Sequence, residues 1–296
     1  MSTSSKRPCR HNDLTRRDFV RDGVATAAGI AVGIGAAGCQ QEQAAKAPTD
    51  VQKTRSYNPD MKYRRLGKTG LWVSAVCMGG HWKRIETMAP KAVQGGNWLG
   101  ASLTDDDFRK NRHDVVTRCM ESGINYIDAC TTSEVQTYAE ALRGRRDKMF
   151  LGCSWYEGEM RNPDFQKTDA LLGTLEKGMK EAGLDYVDLW RITMHEQSGL
   201  HSEGQVEEMM KALETARKQG KVRFTGFSSH DRPHIKWMIE TYPEIVQVVV
   251  TPYTAKSKVR PMDSLFDAVK QYDVGVFGIK PFSSNAVFKG DGSLTS

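Results

Sequence analysis

Short runs of β-branched and apolar residues punctuate the chain at 72–78, 124–128, 149–153, 186–192, 222–227, 245–251 and 274–279. Between them apolar positions recur at helical spacing, as where Val206, Met209, Met210, Leu213 and Ala216 share one face of 205–218. Residues 104–107 offer a capping box ahead of a helix to Ser122, which Gly123 ends. Strand and helix alternating about every 30 residues predict seven buried parallel strands joined by right-handed crossovers. An open doubly wound sheet and a closed (β/α)8 barrel both satisfy this α/β pattern. The open sheet requires a Gly-rich fingerprint after its first strand, and after Val76 the chain offers only Cys77-Met78-Gly79-Gly80-His81. The TIM barrel is therefore predicted.

The first 60 residues follow a different pattern. A basic stretch ends in Thr15-Arg16-Arg17-Asp18-Phe19-Val20-Arg21, and a run rich in Ala and Gly occupies 23–38. That run is too short and too Gly-rich to span a bilayer, which takes about 20 mostly apolar residues. The paired arginines resemble a twin-arginine export signal, and Gly35-Ala36-Ala37-Gly38-Cys39 resembles a lipoprotein cleavage box. Together they imply a signal peptide over 1–39, a lipid on Cys39, and the twin-arginine export machinery as a partner. The implied location is periplasmic, or anchored on the outer side of the cytoplasmic membrane. An amphipathic helix, or a plain leader cut after Ala37, stands as the alternative. Residues 40–60 hold two prolines and few large apolar side chains, and read as a flexible tether before a folded domain over 61–296.

Composition narrows the function classes. With 39% apolar and 26% charged residues the chain can bury a full core, which excludes a disordered, collagenous or coiled-coil protein. The 42 basic and 36 acidic residues give a net charge of +6, and residues 1–38 contribute six of the basic and three of the acidic ones. The remaining 36 and 33 leave +3, with no aromatic-interleaved basic block, so no nucleic-acid partner is implied.

Residues 61–80, MKYRRLGKTGLWVSAVCMGG, resemble the opening of an aldo-keto reductase: a hairpin capping the barrel floor, then a first strand ending in glycines. The similarity continues through Gly123-Ile124-Asn125-Tyr126-Ile127-Asp128, then Ala141-Leu142-Arg143-Gly144-Arg145-Arg146-Asp147 and Leu184-Asp185-Tyr186-Val187-Asp188-Leu189. It runs on through 220–230 and closes with Gly278-Ile279-Lys280-Pro281-Phe282. Six motifs in order over 61–282 carry the resemblance. It implies an NAD(P)H-dependent oxidoreductase acting on a carbonyl or alcohol substrate. It also sets an expectation about length, because the chain stops at Ser296, soon after the seventh strand. The last β/α unit then lacks a counterpart, which points to an incomplete reading of a longer gene or to an unusual closure of the barrel.

Hydride arriving at a carbonyl builds negative charge on oxygen, so such a site needs a positioned proton donor and dipoles aimed at that oxygen. In the resembling family a tyrosine donates, a lysine paired with an aspartate lowers its pKa, and a histidine orients the carbonyl. Asp128 occupies the aspartate's place at the end of the second strand. The tyrosine's place is Ser133, or lies in a deletion if Ser133-Glu134 aligns with the family's Ser-Glu pair; the lysine's place is Ser154 and the histidine's Thr193. Asp128 is thus expected to stand alone, its pKa raised by burial without a compensating cation. The cofactor positions carried over are Ser228, Ser229, Tyr253 and Lys280, with Val250 where a glutamine is expected. NADP(H) is the implied cofactor, with weakened recognition of its amide.

The other residues at the carboxyl ends of the strands are Cys77, His81, Cys130, Cys153, His195 and His230. His195 can serve as proton donor near neutral pH; equally, these groups can simply line a polar mouth. Cys77, Cys130 and Cys153 admit a metal or cluster, or a disulfide between neighbouring strands. Trp82, Trp98 and Trp155 can form an aromatic floor or pack as ordinary loop residues. Two functions remain open: a reductase with a rebuilt catalytic set, and a lapsed enzyme serving as an exported ligand-binding or scaffold protein.

Overall fold

The protein is described from a computed structural model covering residues 50–81, 103–254 and 265–282. An antiparallel hairpin comes first, β1 (Tyr63–Arg65) against β2 (Trp72–Ser74). Seven parallel strands follow: β3 (Met78–Gly79), β4 (Tyr126–Ala129), β5 (Phe150–Cys153), β6 (Val187–Thr193), β7 (Val222–Ser228), β8 (Val248–Pro252) and β9 (Gly275–Ile279). Each pairs with the next in chain order, and β3 and β9 are the two edges among the described residues. A doubly wound sheet reverses its strand order at a switch point. This sheet never does, as the barrel reading requires.

The connecting helices are α1 (Asp106–Glu121), α2 (Thr132–Ala141), α3 (Thr168–Ala182), α4 (Glu203–Lys218), α5 (Arg232–Thr241) and α6 (Leu265–Gln271). On α4 the face read from the sequence is buried, and Ser202 with Gln205 closes a capping box at its start. One core lies between helices and sheet, built from residues such as Leu151, Trp190, Leu213 and Ile239. A second lies inside the curl of the sheet, where Tyr126, Phe150, Leu189 and Val248 meet Leu66 and Val73 of the hairpin segment. The hairpin closes the floor tightly: Gly67 has φ +50°, and a Cβ there would fall 2.3 Å from the Gly275 nitrogen.

Three sequence expectations change. The run 72–78 divides, because 72–74 pairs back on β1 and only Met78 and Gly79 join the parallel sheet. The cap of α1 is Asp105, whose carboxylate accepts from the Phe108 amide, rather than a box over 104–107. The end of the region read as a tether is held to the barrel. Thr54 Oγ1 donates to the Trp72 carbonyl, Asn58 Nδ2 to that of Glu121, and Arg55 reaches the Met149 carbonyl and Asp188. Polar side chains dock this segment onto strand and helix ends, where apolar periodicity gives no sign of it. The leader, Cys39, Trp82 and Trp98 lie outside the described residues. Among the described residues no helix is long and apolar enough to cross a membrane.

Candidate active site

All seven residues of β6 are buried, and two of them, Asp188 and Arg191, are charged. A buried charge must be paired, and the pairing of Arg191 builds the site. Its Nε donates to Asp128 Oδ1 at 2.8 Å and its Nη2 to Oδ2 at 2.6 Å, a bidentate pair between β6 and β4. Arg191 is 5% exposed and the Asp128 side chain 23% exposed. Burial works against charge on Arg191, but Asp128 outweighs it, and the pKa of the guanidinium rises. Asp128 is therefore not the lone acid the sequence implies. The cation absent at Ser154 enters from another strand.

The strand between them makes the pair possible. Gly152 on β5 stands in register with Asp128 on one side and Leu189 on the other, and presents no side chain. The space above it belongs to Tyr126: a Cβ on Gly152 would lie 1.9 Å from Tyr126 Oη and 3.5 Å from Asp128 Oδ1. Gly152→Ala is accordingly expected to cost about 1–3 kcal/mol through overpacking. Urea denaturation checks this, and an alanine variant as stable as the parent would mean that the hydroxyl lies elsewhere.

Tyr126 is fully buried and stacked on Phe277, with ring centroids 4.3 Å apart. Its hydroxyl has no hydrogen-bond partner among the described residues. Burial, then the Asp128 carboxylate, push its pKa well above 10, while Arg191 opposes them. Together with Asp128, Cys77 and Phe277 it lines a cleft of about 390 Å³ between the edges β3 and β9. The sequence held a signal for both residues missed: Tyr126 and Asp128 are two apart on β4 and share a face, as do Arg191 and Thr193 on β6.

The positions Ser154 and Thr193 form a second buried layer. Their hydroxyls are 2.6 Å apart, and Arg191 Nη1 donates to Thr193 Oγ1 at 3.1 Å. Ser154 Oγ donates to Glu159 Oε2 at 2.7 Å, and the Thr193 amide, the Trp155 amide and the Trp190 indole N–H also donate to that carboxylate. Burial raises the pKa of Glu159 and these four donors pull it down, leaving it above the usual carboxylate value. Glu159 lies in an irregular connection without periodicity, so nothing in the sequence marked it. Ser133 is removed from this layer, on the first turn of α2 with its Oγ 3.2 Å from Thr131 Oγ1.

The remaining candidates scatter. His195 is exposed and engaged with its own loop, its Nδ1 accepting from the Gln197 amide and its backbone N–H donating to His201 Nε2. Ser228 Oγ reaches Thr193 Oγ1 at 3.5 Å, whereas Ser229 Oγ is spent on Ser198 Oγ and the Glu196 carbonyl. The Tyr253 ring meets Phe266 edge-on at 5.5 Å. Lys280 Nζ is 3.4 Å from His230 Nε2 and 3.8 Å from Glu196 Oε1. Trp155 is buried with its indole nitrogen over Gly178, in the helix-facing core rather than an aromatic floor. Cys77, Cys119, Cys130 and Cys153 are all free thiols, so among the described residues no disulfide joins the strand ends. Burial pushes the Cys77 thiol up to about 12.

Comparison with known proteins places these features. Residues 95–293 match the model of the aldo/keto reductase family. An uncharacterized oxidoreductase of Schizosaccharomyces pombe is 28% identical over 158 residues, 49% of this chain and 52% of that protein. The NADPH-dependent alpha-keto amide reductase of Saccharomyces cerevisiae is 26% identical over 171 residues, 54% of this chain and 52% of that one. The chain thus spans about half the length of these curated relatives. An aldo/keto reductase of Klebsiella pneumoniae, solved with NADP and acetate, superposes with a TM-score of 0.57 at 16% identity, covering 78% of this chain and 71% of that one.

Proposed function

Since the chain belongs to the aldo/keto reductase family, we propose that it is an NAD(P)H-dependent oxidoreductase whose reacting carbonyl is served by Tyr126, Arg191 and Asp128. The observation that carries this is the unpartnered, fully buried Tyr126 hydroxyl beside the Asp128–Arg191 pair. An unsatisfied buried hydroxyl costs about 1–3 kcal/mol, and a reacting oxygen beside the Asp128–Arg191 pair would satisfy it.

The cofactor fits the mouth in part. Lys280, now 3.8 Å from Glu196 Oε1, would supply a cation for its anionic portion, and Tyr253 an aromatic surface. Ser229 does not fit the role of reading an amide, because its hydroxyl is committed within the fold. When bound, the cofactor supplies the hydride. Arg191 commits three of its five N–H groups to Asp128 and Thr193, and the other two are the donors that would stabilise charge developing on a substrate oxygen. Asp128 fixes the guanidinium plane. Tyr126 carries its proton at neutral pH; burial makes it a weaker acid than a free phenol, Arg191 opposes that shift, and the nascent alkoxide is the more basic group that would take the proton.

Titration of the full chain with NADPH, followed by nicotinamide fluorescence, is expected to give saturable binding. NADPH oxidation is expected with at least one member of a carbonyl panel that includes an alpha-keto amide, the class named for the yeast relative. Absence of binding would remove the oxidoreductase reading. Binding without turnover would favour the lapsed, ligand-binding protein, a reading supported by the Ser154 and Thr193 hydroxyls tied into the Glu159 layer.

A further inference from the structure

A second group of reactive side chains gathers at the carboxyl ends of β3 and β4. His81 follows β3, Cys130 follows β4, and Glu134 lies in the first turn of α2. Glu134 is fully buried, the His81 side chain is 47% exposed, and Cys130 is half-buried. We propose that His81, Cys130 and Glu134 bind a divalent transition metal ion of the zinc type, with a fourth coordination position open to water or a substrate oxygen.

The distances support this assignment. Zinc takes nitrogen, sulfur and oxygen at about 2.0–2.1, 2.3 and 2.0–2.2 Å, so the edges of its tetrahedron are about 3.6 Å for N···S and about 3.4 Å for N···O. Cys130 Sγ lies 3.7 Å from His81 Nδ1 and 3.8 Å from Nε2, and Nδ1 lies 2.9 Å from Glu134 Oε1. All three ligand atoms fall within 4.8 Å of one another. Opening the N···O edge by about half an ångström brings it to the zinc value, and the third edge, from Cys130 Sγ to the carboxylate oxygen, lies within 4.8 Å and closes toward about 3.6 Å around a bound ion. The half-exposed imidazole can make that adjustment, while Glu134 is fixed.

What fixes Glu134 also presents it. Its Oε1 accepts from the His81 amide at 2.5 Å and its Oε2 from the Cys130 amide at 2.7 Å. Each carboxylate oxygen accepts two hydrogen bonds, so acceptor capacity remains beyond these amides. His81 has φ +61°, a left-handed conformation costly for a residue with a side chain, and it turns both amide and imidazole onto the same oxygen. One thiolate and one carboxylate together neutralise a divalent ion.

The donor set also selects the metal class. Calcium and magnesium are hard ions that take oxygen ligands, and two of the three groups here are an imidazole and a thiol. Sulfur, imidazole and carboxylate suit a borderline-soft ion, and three protein ligands with one open position is the pattern of catalytic zinc. The site extends the proposed reductase without depending on it: Cys130 is two residues beyond Asp128, so a ligand on the metal would lie near the Asp128–Arg191 pair.

Cobalt substitution tests this on the full chain, first stripped with a chelator and then titrated with Co²⁺. One equivalent is expected to bind, with the intense visible bands of a tetrahedral ion and a near-ultraviolet thiolate-to-cobalt charge-transfer band. Cys130→Ser should abolish the charge-transfer band, His81→Ala should weaken binding by at least about 10-fold, and Cys119→Ser should change neither. Zn²⁺ should displace the cobalt stoichiometrically. Absence of stoichiometric binding, octahedral bands alone, or a charge-transfer band that survives Cys130→Ser would overturn the assignment. Circular dichroism of each variant separates loss of the site from loss of the fold.

Discussion

Tyr126→Phe is expected to lower kcat for carbonyl reduction by roughly 10²–10⁴-fold, the usual contribution of one positioned proton donor. The same substitution should leave the unfolding free energy level, or raise it by about 1 kcal/mol, because it deletes a buried hydroxyl that has no partner among the described residues. The two effects share one premise, that the buried hydroxyl left unsatisfied in the fold finds its partner in the reacting oxygen. KM should change little, since the proton moves in the transition state rather than on binding. Steady-state kinetics and urea unfolding on the same preparations read both quantities. A variant as active as the parent would remove Tyr126 from the chemistry. A large loss of stability would show that its hydroxyl is structurally bonded.

Asp188→Ala is the substitution expected to do most damage to the fold. The carboxylate is fully buried near the start of β6, and three arginines converge on it. Arg223 Nη1 donates to Oδ1 at 2.6 Å, while Arg146 Nη2 at 2.7 Å, Arg55 Nη1 at 3.2 Å and the Leu151 amide at 2.9 Å donate to Oδ2. Removing the acid leaves three crowded cations, a loss of about 3–5 kcal/mol. In a domain of this size that lowers Tm by on the order of 10 °C. Burial alone would raise the pKa of Asp188, but the arginines, led by Arg146, bring it below the ordinary value. Its stabilisation is therefore complete above the unfolded value near 3.9 and is lost as the pH falls through the lower folded value. Thermal melts of parent and variant across acid pH check both statements: the two should converge at the acid end. A loss under about 1 kcal/mol at neutral pH would contradict the buried-pair account.

The two charged residues of β6 show how far the sequence could be read. Both stand in a strand that, Thr193 apart, is otherwise written in apolar residues, and a charge in such a strand announces a buried partner. The partner's identity is not announced. Asp128 lies 63 residues from Arg191, and the arginines that serve Asp188 come from three separate segments. Tyr126 was closer to legible, being two residues before Asp128, but its hydroxyl reaches the site only because Gly152 on the neighbouring strand has no side chain. Glu159 and the docking of Arg55 were illegible, since neither lies in a periodic segment.

Alternating strands and helices, their parallel order and the place of Asp128 at a strand end follow from the sequence by itself, because helical and strand periodicity and turn glycines act over a few residues. Which cation stands beside that acid, which phenol faces it, and that His81, Cys130 and Glu134 meet were decided by the tertiary structure. Those meetings depend on the register and curl of several strands, which bring residues far apart in the chain into contact.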